Sequence, residues 1–228
     1  MTLSVIIPAL NEGAGIVTAL RSLAPVRRRG GEVLVVDGGS RDDTVERARP
    51  LVDRVLTAPR GRAAQMNAGA EASGGEVLWF VHADSVIDPA AVDDLERAYG
   101  DPRTIWSRFG VRLSARRPLF RVVAFLMNRR SCLTGIATGD QGIAVRRAAF
   151  ESAGRYPDVP LMEDVAFSRR LRARARPACL PVRITTSSRR WEEGGAWRTI
   201  WLMWRLRFAF WRGADPAELA RRYRGGAR

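Results

Sequence analysis

Four short apolar runs alternate with helix-like stretches through the first hundred residues, and this alternation limits the chain to an α/β fold built on a parallel sheet. Residues 3–8 (LSVIIP), 33–37 (VLVVD), 54–57 and 77–82 (VLWFVH) read as strands. Residues 13–23, 42–49, 62–72 and 88–99 read as helices between and after them, the last with Pro89 in its first turn. Strands so continuously apolar must be covered on both faces, as in sheets whose strands are joined by crossover helices. Ligands of such open sheets sit beyond the carboxyl ends of the strands. Here those ends are polar: Asn11-Glu12 after the first run, Asp37-Gly38-Gly39-Ser40 after the second, His82-Ala83-Asp84-Ser85 after the fourth. Ser40 and Asp42 taken alone read best as helix caps. Three carboxylates delivered to one sheet edge favour a polar ligand or a metal. The stretch Asn11-Glu12-Gly13-Ala14-Gly15 lacks the G-x-G-x-x-G spacing, so a glycine loop does not cradle a dinucleotide here. A divalent cation on an acidic loop is the usual other way to neutralise a diphosphate.

Composition narrows the chemistry. All 38 basic residues are arginine, so no lysine can serve as a phosphate ligand, Schiff base or general base. A codon bias would explain the missing lysines, but not the distribution of charge. Residues 1–100 hold 11 Arg against 14 acidic residues, and residues 101–228 hold 27 against 10. The excess in the second half points either to an anionic partner or to a more helical region with more solvated faces. A single histidine and two cysteines cannot build a structural zinc site, and free thiols are the expectation for Cys132 and Cys179. The first residues carry no basic leader, and nowhere do about 18 uncharged apolar residues run together. The expectation is a cytoplasmic protein, either free or peripheral on the cytoplasmic face of the inner membrane.

SVIIPALNE, VVDGGSRDDT, the 60–69 stretch RGRAAQMNAG, VHADS and LMEDVAFSRRLR follow one another at set intervals. Together they resemble the family 2 glycosyltransferases of bacterial type, over residues 3–172. The later segment TSSRRWEEGGAWRTIWLMWRLRFAFW is similar to a subgroup labelled arsenosugar-biosynthesis glycosyltransferases. The resemblance implies a GT-A fold, with a Rossmann-like, mostly parallel central sheet, helices on both faces and a C-terminal helical extension. It implies a glycosyltransferase domain over 1–190, donor half 1–100 and acceptor half 101–190, followed by an amphipathic extension over 191–228. It also assigns roles. Pro8, Ala9, Asn11 and Glu12 would line the nucleoside pocket, Asp37 would pair with a uracil-type base, and Gly39 and Ala83 belong to the same donor-side loops. Arg62 and Asn67 match a nucleotide and phosphate segment. Asp84 matches the second carboxylate of a D-x-D motif that holds Mg²⁺ or Mn²⁺ on a UDP-sugar. Asp164, beside Glu163, matches the general base. Two departures stand out: Asp37-Gly38-Gly39-Ser40 replaces Asp-Asp-Gly-Ser, and His82 replaces the first Asp of D-x-D. His82 is then a neutral imidazole ligand to the metal, a hydrogen-bond donor to the sugar, or a packed strand-end residue.

The second half carries the acceptor question. Gly139, Asp140 and Gln141 precede the apolar run 143–145 and read equally as acceptor-side residues or as a turn entering a strand. Arg190-Trp191 matches the end of the Q-x-x-R-W motif of processive relatives, but Ser187 stands in place of glutamine, so single-sugar transfer is expected. Residues 118–128 form an apolar helix flanked by arginines. In 196–211, Trp197, Trp201, Trp204, Phe208 and Trp211 share one helical face, with Arg198, Arg205 and Arg212 beside it. That pairing suits a helix lying in a membrane surface, or one packed on the domain with snorkelling arginines. The implied reaction is inverting transfer of one sugar to a hydroxyl or phosphate, the acceptor a lipid or a small soluble molecule. A nucleotidyltransferase would need a glycine-rich basic loop that the chain lacks. A non-catalytic binder of polyanions or membranes remains the rival from another class, although no nucleic-acid motif accompanies the basic half.

Overall fold

Residue parity along the first strands divides the core in two. In β1 (Leu3–Ala9), β2 (Glu32–Asp37) and β4 (Val77–Phe80), Val5, Ile7, Val33, Val35 and Trp79 face one side. Ile6, Val36, Leu78 and Phe80 face the other. The first side is covered by α1 (Ile16–Ser22), α2 (Ala24–Arg28), α3 (Thr44–Ala48) and α5 (Ala90–Gly100). The second is covered by α4 (Arg62–Ala72), α7 (Arg147–Ser152) and α8 (Glu163–Arg172), through Met66, Ala70, Phe150 and Phe167. Gly69 lets α4 lie directly on the sheet, since a Cβ there would fall 2.5 Å from Ile6 Cγ2 and 2.9 Å from Val36 Cγ2. The computed structural model describes residues 1–115, 117–189, 192 and 194–225.

Among the described residues eight strands form one sheet, in the order β3 (Arg54–Thr57), β2, β1, β4, β7 (Ala144–Arg146), β6 (Trp106–Leu113), β8 (Ala178–Thr186) and β5 (Ser85–Val86). β3, β2, β1 and β4 are parallel neighbours. β7 runs antiparallel to β4 and to β6, β8 is parallel to β6, and β5 closes the edge antiparallel to β8. The expected mostly parallel sheet with helices on both faces is therefore present. Ala9 pairs with Asp37 and Asp37 with Thr57, which sets the polar strand ends side by side. β4 stops at Phe80, two residues earlier than its apolar run, and a turn closed by Ser85 N–H on His82 O carries His82 and Asp84 off the sheet.

The second half departs more from the sequence reading. α6 (Pro118–Thr134) extends two turns past residue 128 and ends where Gly135 adopts φ 67°. Asn128, inside it, stands in for a strand partner: its amide donates to Val111 O at 3.0 Å and its Oδ1 accepts from Val111 N–H at 2.8 Å. This contact sits beside the break in β6–β8 register between Phe109 and Gly110. Packing of α6 on these strands also overturns the expectation of free thiols. It brings Cys132 and Cys179, 47 residues apart, to a Cα–Cα distance of 6.3 Å as a disulfide, within the span such a bond requires.

Gln65 knits the two leading strands together. Its amide, 3% exposed, donates to Ala9 O at 2.8 Å and Val36 O at 2.7 Å, so the strand ends that carry Asn11 and Asp37 share one side chain. Replacing Gln65 with Ala removes two buried bonds and should lower stability by roughly 2 kcal/mol, read from the midpoint of urea denaturation at constant m.

Candidate active site

The loop after β1 is held by the loop after β2. Asn11 takes the left-handed backbone (φ 54°), and its Oδ1 accepts Arg41 N–H at 2.8 Å while its own N–H donates to Ser40 Oγ at 2.9 Å. Glu12 N–H donates to Thr44 Oγ1 and Gly13 N–H to Asp42, so Ser40 and Asp42 tie the two loops; Asp42 also accepts Thr44 N–H at the start of α3, whereas the Ser40 hydroxyl bonds Asn11 rather than capping that helix. Asp37 is buried and accepts the N–H groups of Gly39 (3.0 Å) and Ser40 (3.1 Å). Glu12 is thereby aimed into a cavity of 430 Å³ at the strand ends.

That cavity gathers residues from distant parts of the chain. Arg62 from the start of α4, His82 and Asp84 from the turn after β4, Gly139 and Asp140 from the turn before β7, and Glu163 and Asp164 from the first turn of α8 all line it. The 138–141 turn is closed twice: Thr138 N–H donates to Gln141 Oε1 at 3.2 Å and Gln141 N–H to the Thr138 carbonyl at 2.9 Å. Asp164 is fixed at both oxygens, by Gly139 N–H at 2.7 Å and Val165 N–H at 2.7 Å. Gly139 also packs on the Nε2 edge of His82, where a Cβ would come within 2.3 Å of that nitrogen. Glu163, 3% exposed, meets Arg62 at 3.5 Å.

The electrostatics follow from burial and crowding. Burial and the nearby Asp164 push the Glu163 carboxyl up, against the pull of Arg62. Burial and Asp84 push Glu12 up, against Arg189, which stands 3.8 Å away, and Arg62. Burial raises Asp140 too, opposed by its bond from Thr138. Burial works against the Arg62 charge, but Glu163, Asp164 and Asp84 outweigh it and hold its pKa above the ordinary guanidinium value. Among the described residues no three of His, Cys, Asp and Glu cluster tightly enough to hold an ion unaided. A Mg²⁺-type ion does not require that, since it is commonly bound by one or two carboxylates with substrate phosphates completing its shell. Asp84 fits that arrangement.

Other expected site residues are placed differently. Pro8 and Ala9 lie within β1, and neither they nor Asp37, Gly39 and Ala83 line the cavity. The Asn67 amide donates to Tyr156 O at 2.9 Å and accepts Tyr156 N–H at 3.1 Å, clamping the segment before α8. Gln141 is fully buried under the turn. Arg190 and Trp191 lie outside the described residues. The sequence reading missed one whole wall: α9 (Ala196–Trp211) and α10 (Pro216–Gly225) close the cavity with Leu202, Met203, Arg207 and Tyr223. Leu206 and Leu219 are buried with Met162, on the α9 face opposite the aromatic stripe. The only sequence signal for this wall was the second apolar row in 202–210, masked by the tryptophans.

Comparison with known proteins agrees with this architecture. The family model for glycosyl transferase family 2 matches residues 4–153. An uncharacterized protein of Mycobacterium tuberculosis is 36% identical over 105 residues, which is 44% of this chain and 33% of that protein. S. aureus TarS 1-349 in complex with UDP-GlcNAc superposes with a TM-score of 0.65 at 20% identity, covering 82% of this chain and 58% of that one. Glucosyl-3-phosphoglycerate synthase from M. tuberculosis with Mg²⁺ and UDP gives 0.59 at 22% identity, covering 81% and 70%. The mannosyltransferase PcManGT from Pyrobaculum calidifontis with GDP-Man and Mn²⁺ gives 0.68 at 19% identity, covering 97% and 68%.

His82 offers a direct check on the cavity. Burial and then Arg62 push its pKa down to about 3 from the ordinary 6.5, so the folded imidazole stays neutral while the unfolded one takes a proton. The unfolded state therefore binds more protons between those values, and this contribution to stability is lost as pH falls from about 6.5 toward about 3, by at most about 1.4 kcal/mol per unit. His82→Asn should remove that slope from denaturation midpoints measured across pH 4–6.5. An unchanged slope would place the imidazole in solvent.

Proposed function

The chain belongs to glycosyl transferase family 2, and from that premise we propose that it moves one sugar from a nucleoside diphosphate sugar to an acceptor hydroxyl or phosphate, with inversion. The carrying observation is Asp164, held at both oxygens by backbone N–H groups in the same cavity as Asp84. In the proposed step the acceptor oxygen attacks the anomeric carbon and its proton passes to Asp164. The bond from that carbon to the diphosphate breaks, and its electron pair leaves with the phosphate oxygen. A single in-line displacement of this kind inverts the centre. Each Asp164 oxygen accepts one N–H and keeps a lone pair free for the proton. Glu163, whose carboxyl is pushed up, limits charge beside the base, and Arg62, which lines the same cavity, would add positive charge for the diphosphate. Mg²⁺ or Mn²⁺ held by Asp84 would neutralise the leaving diphosphate. His82 meets Gly139 through its Nε2 edge, so its part is to seat the turn that aims Asp164. A UDP-sugar is the donor favoured by likeness to structural neighbours crystallised with UDP or UDP-GlcNAc.

The acceptor side is cationic. The Nε and Nη2 of Arg130, on α6, are buried without a hydrogen-bond partner, and Arg207 lines the cavity. Burial and Arg207 push Arg130 down to about 10. Such donors suit a phosphate-bearing acceptor. The aromatic face of α9 supports a peripheral membrane location and a lipid acceptor, although no helix among the described residues is long and apolar enough to cross a bilayer.

Two experiments test this reading. Asp164→Asn should abolish sugar transfer while UDP with Mn²⁺ still raises the melting temperature as in the parent, and EDTA should remove that rise; a transfer rate unchanged in Asp164→Asn would exclude it as the base. Arg207→Ala should raise KM for a polyprenyl phosphate at least about tenfold with donor KM nearly unchanged, the size expected for one charge-assisted contact. Equal use of the polyprenol and its phosphate by the parent enzyme would remove the phosphate assignment.

A further inference from the structure

A second concavity lies away from the sugar-transfer cavity, between α6 and the strands β6 and β8. It is an open groove of 1320 Å³, walled by apolar residues such as Val111, Phe120 and Phe125. Among the described residues five arginines line it (Arg108, Arg112, Arg121, Arg129 and Arg183) and no acidic residue does. Arg108 is 3% exposed. It donates to Phe109 O, Asn128 O and Cys179 Sγ, its Nε is buried without a partner, and no carboxylate among the described residues pairs with it. A guanidinium buried without a counter-charge is costly, and an anion in the groove would offset that cost.

The groove borders an unusual surface. The start of α9, at Ala196 and Ile200, packs in one cluster with Phe120 and Val123 of α6, and farther along Arg207 acts on Arg130. The two helices therefore meet at their starts, and Arg207 and Arg130 lie within electrostatic reach of each other. Val122, Phe125, Leu126 and Leu133 on one, and Trp197, Trp201, Trp204, Phe208 and Trp211 on the other, are each more than half exposed. An outward face of tryptophan and aliphatic residues with arginines beside it has the composition of an in-plane membrane helix. Apolar walls mixed with arginines match an amphiphile with an anionic head better than a nucleic acid backbone.

We propose that the groove receives the phosphate headgroup of an anionic phospholipid while the outer faces of α6 and α9 lie in the same leaflet. This rests on the membrane reading above and adds to it a headgroup class and the residues that select it. Flotation of the full chain with phosphatidylcholine vesicles, with and without phosphatidylglycerol, tests it. Binding should be at least about tenfold stronger with phosphatidylglycerol, and Arg112→Glu/Arg121→Glu/Arg129→Glu should abolish most of that preference. Arg21→Glu/Arg28→Glu/Arg103→Glu, an equal charge change elsewhere, should largely retain it; an equal loss there would reduce the effect to net charge and overturn the site. Trp201→Ser/Trp204→Ser should weaken binding to both vesicle types. Equal binding of the parent to both would overturn the headgroup site and leave membrane docking standing. No binding to either would remove docking and groove assignment together. A melting shift with glycerol phosphate alone, lost in the groove variant, would assign the groove to free phosphate and overturn the lipid.

Discussion

The hydrogen bond from Gly139 N–H to Asp164 Oδ2 joins the two halves of the active site. On its other side Gly139 lies against the His82 imidazole. The turn after β4, the turn before β7 and the start of α8 are thus fixed to one another through a residue without a side chain. Any Cβ at 139 would overlap the ring, so the position of Asp164 relative to Asp84 depends on this glycine. The sheet order makes the junction: β7 inserts beside β4 in antiparallel sense and brings its leading turn to the end where β1, β2 and β4 deliver their polar residues.

Around that junction the charges offset one another. Arg62 stands among Glu163, Asp164 and Asp84, and Glu12 and Asp140 complete an acidic lining that would repel a diphosphate if it were fully ionised. Burial pushes Glu12, Asp140 and Glu163 up and so lessens that repulsion. The two Asp164 oxygens each hold one backbone N–H, so the side chain is fixed in place before any ligand arrives.

Much of the donor half was legible because its signals are local. The continuous apolar runs before Asn11, Asp37 and His82 are strands, and α4 occupies residues 62–72 as the periodicity indicates. The second half was less legible for equally physical reasons. Arg108, Arg112 and Arg183 interrupt the apolar pattern of β6 and β8, and Pro181 sits inside β8, yet packing of α6, pairing of β6 with β7 and β8, and pairing of β8 with β5 make both segments strands. Gln65 and Asn67 occupy the same helix two residues apart. Which amide binds the sheet and which binds Tyr156 depends on the helix's seating, a tertiary fact. The Cys132–Cys179 contact depends on the same α6 docking and leaves no trace in sequence spacing.

The C-terminal helix shows how one segment can hide two signals. Its tryptophan row was plain at spacings of four and three, but Leu202, Met203 and Leu206 form a second apolar row that packs toward Met162 and closes the cavity. A helix apolar on two sides is expected only where both sides meet something apolar. One side meets the domain. The other, with Trp211 at 71% exposure, meets no other element among the described residues. The same helix is therefore both wall of the reaction cavity and outer surface, about 10 Å thick. On the proposed reading, an acceptor held in a bilayer against the tryptophans needs to pass only one helix width to bring its polar end to Arg207 and Asp164. This arrangement favours a lipid over a small soluble acceptor, because a soluble molecule gains nothing from aromatics on the far side of the wall.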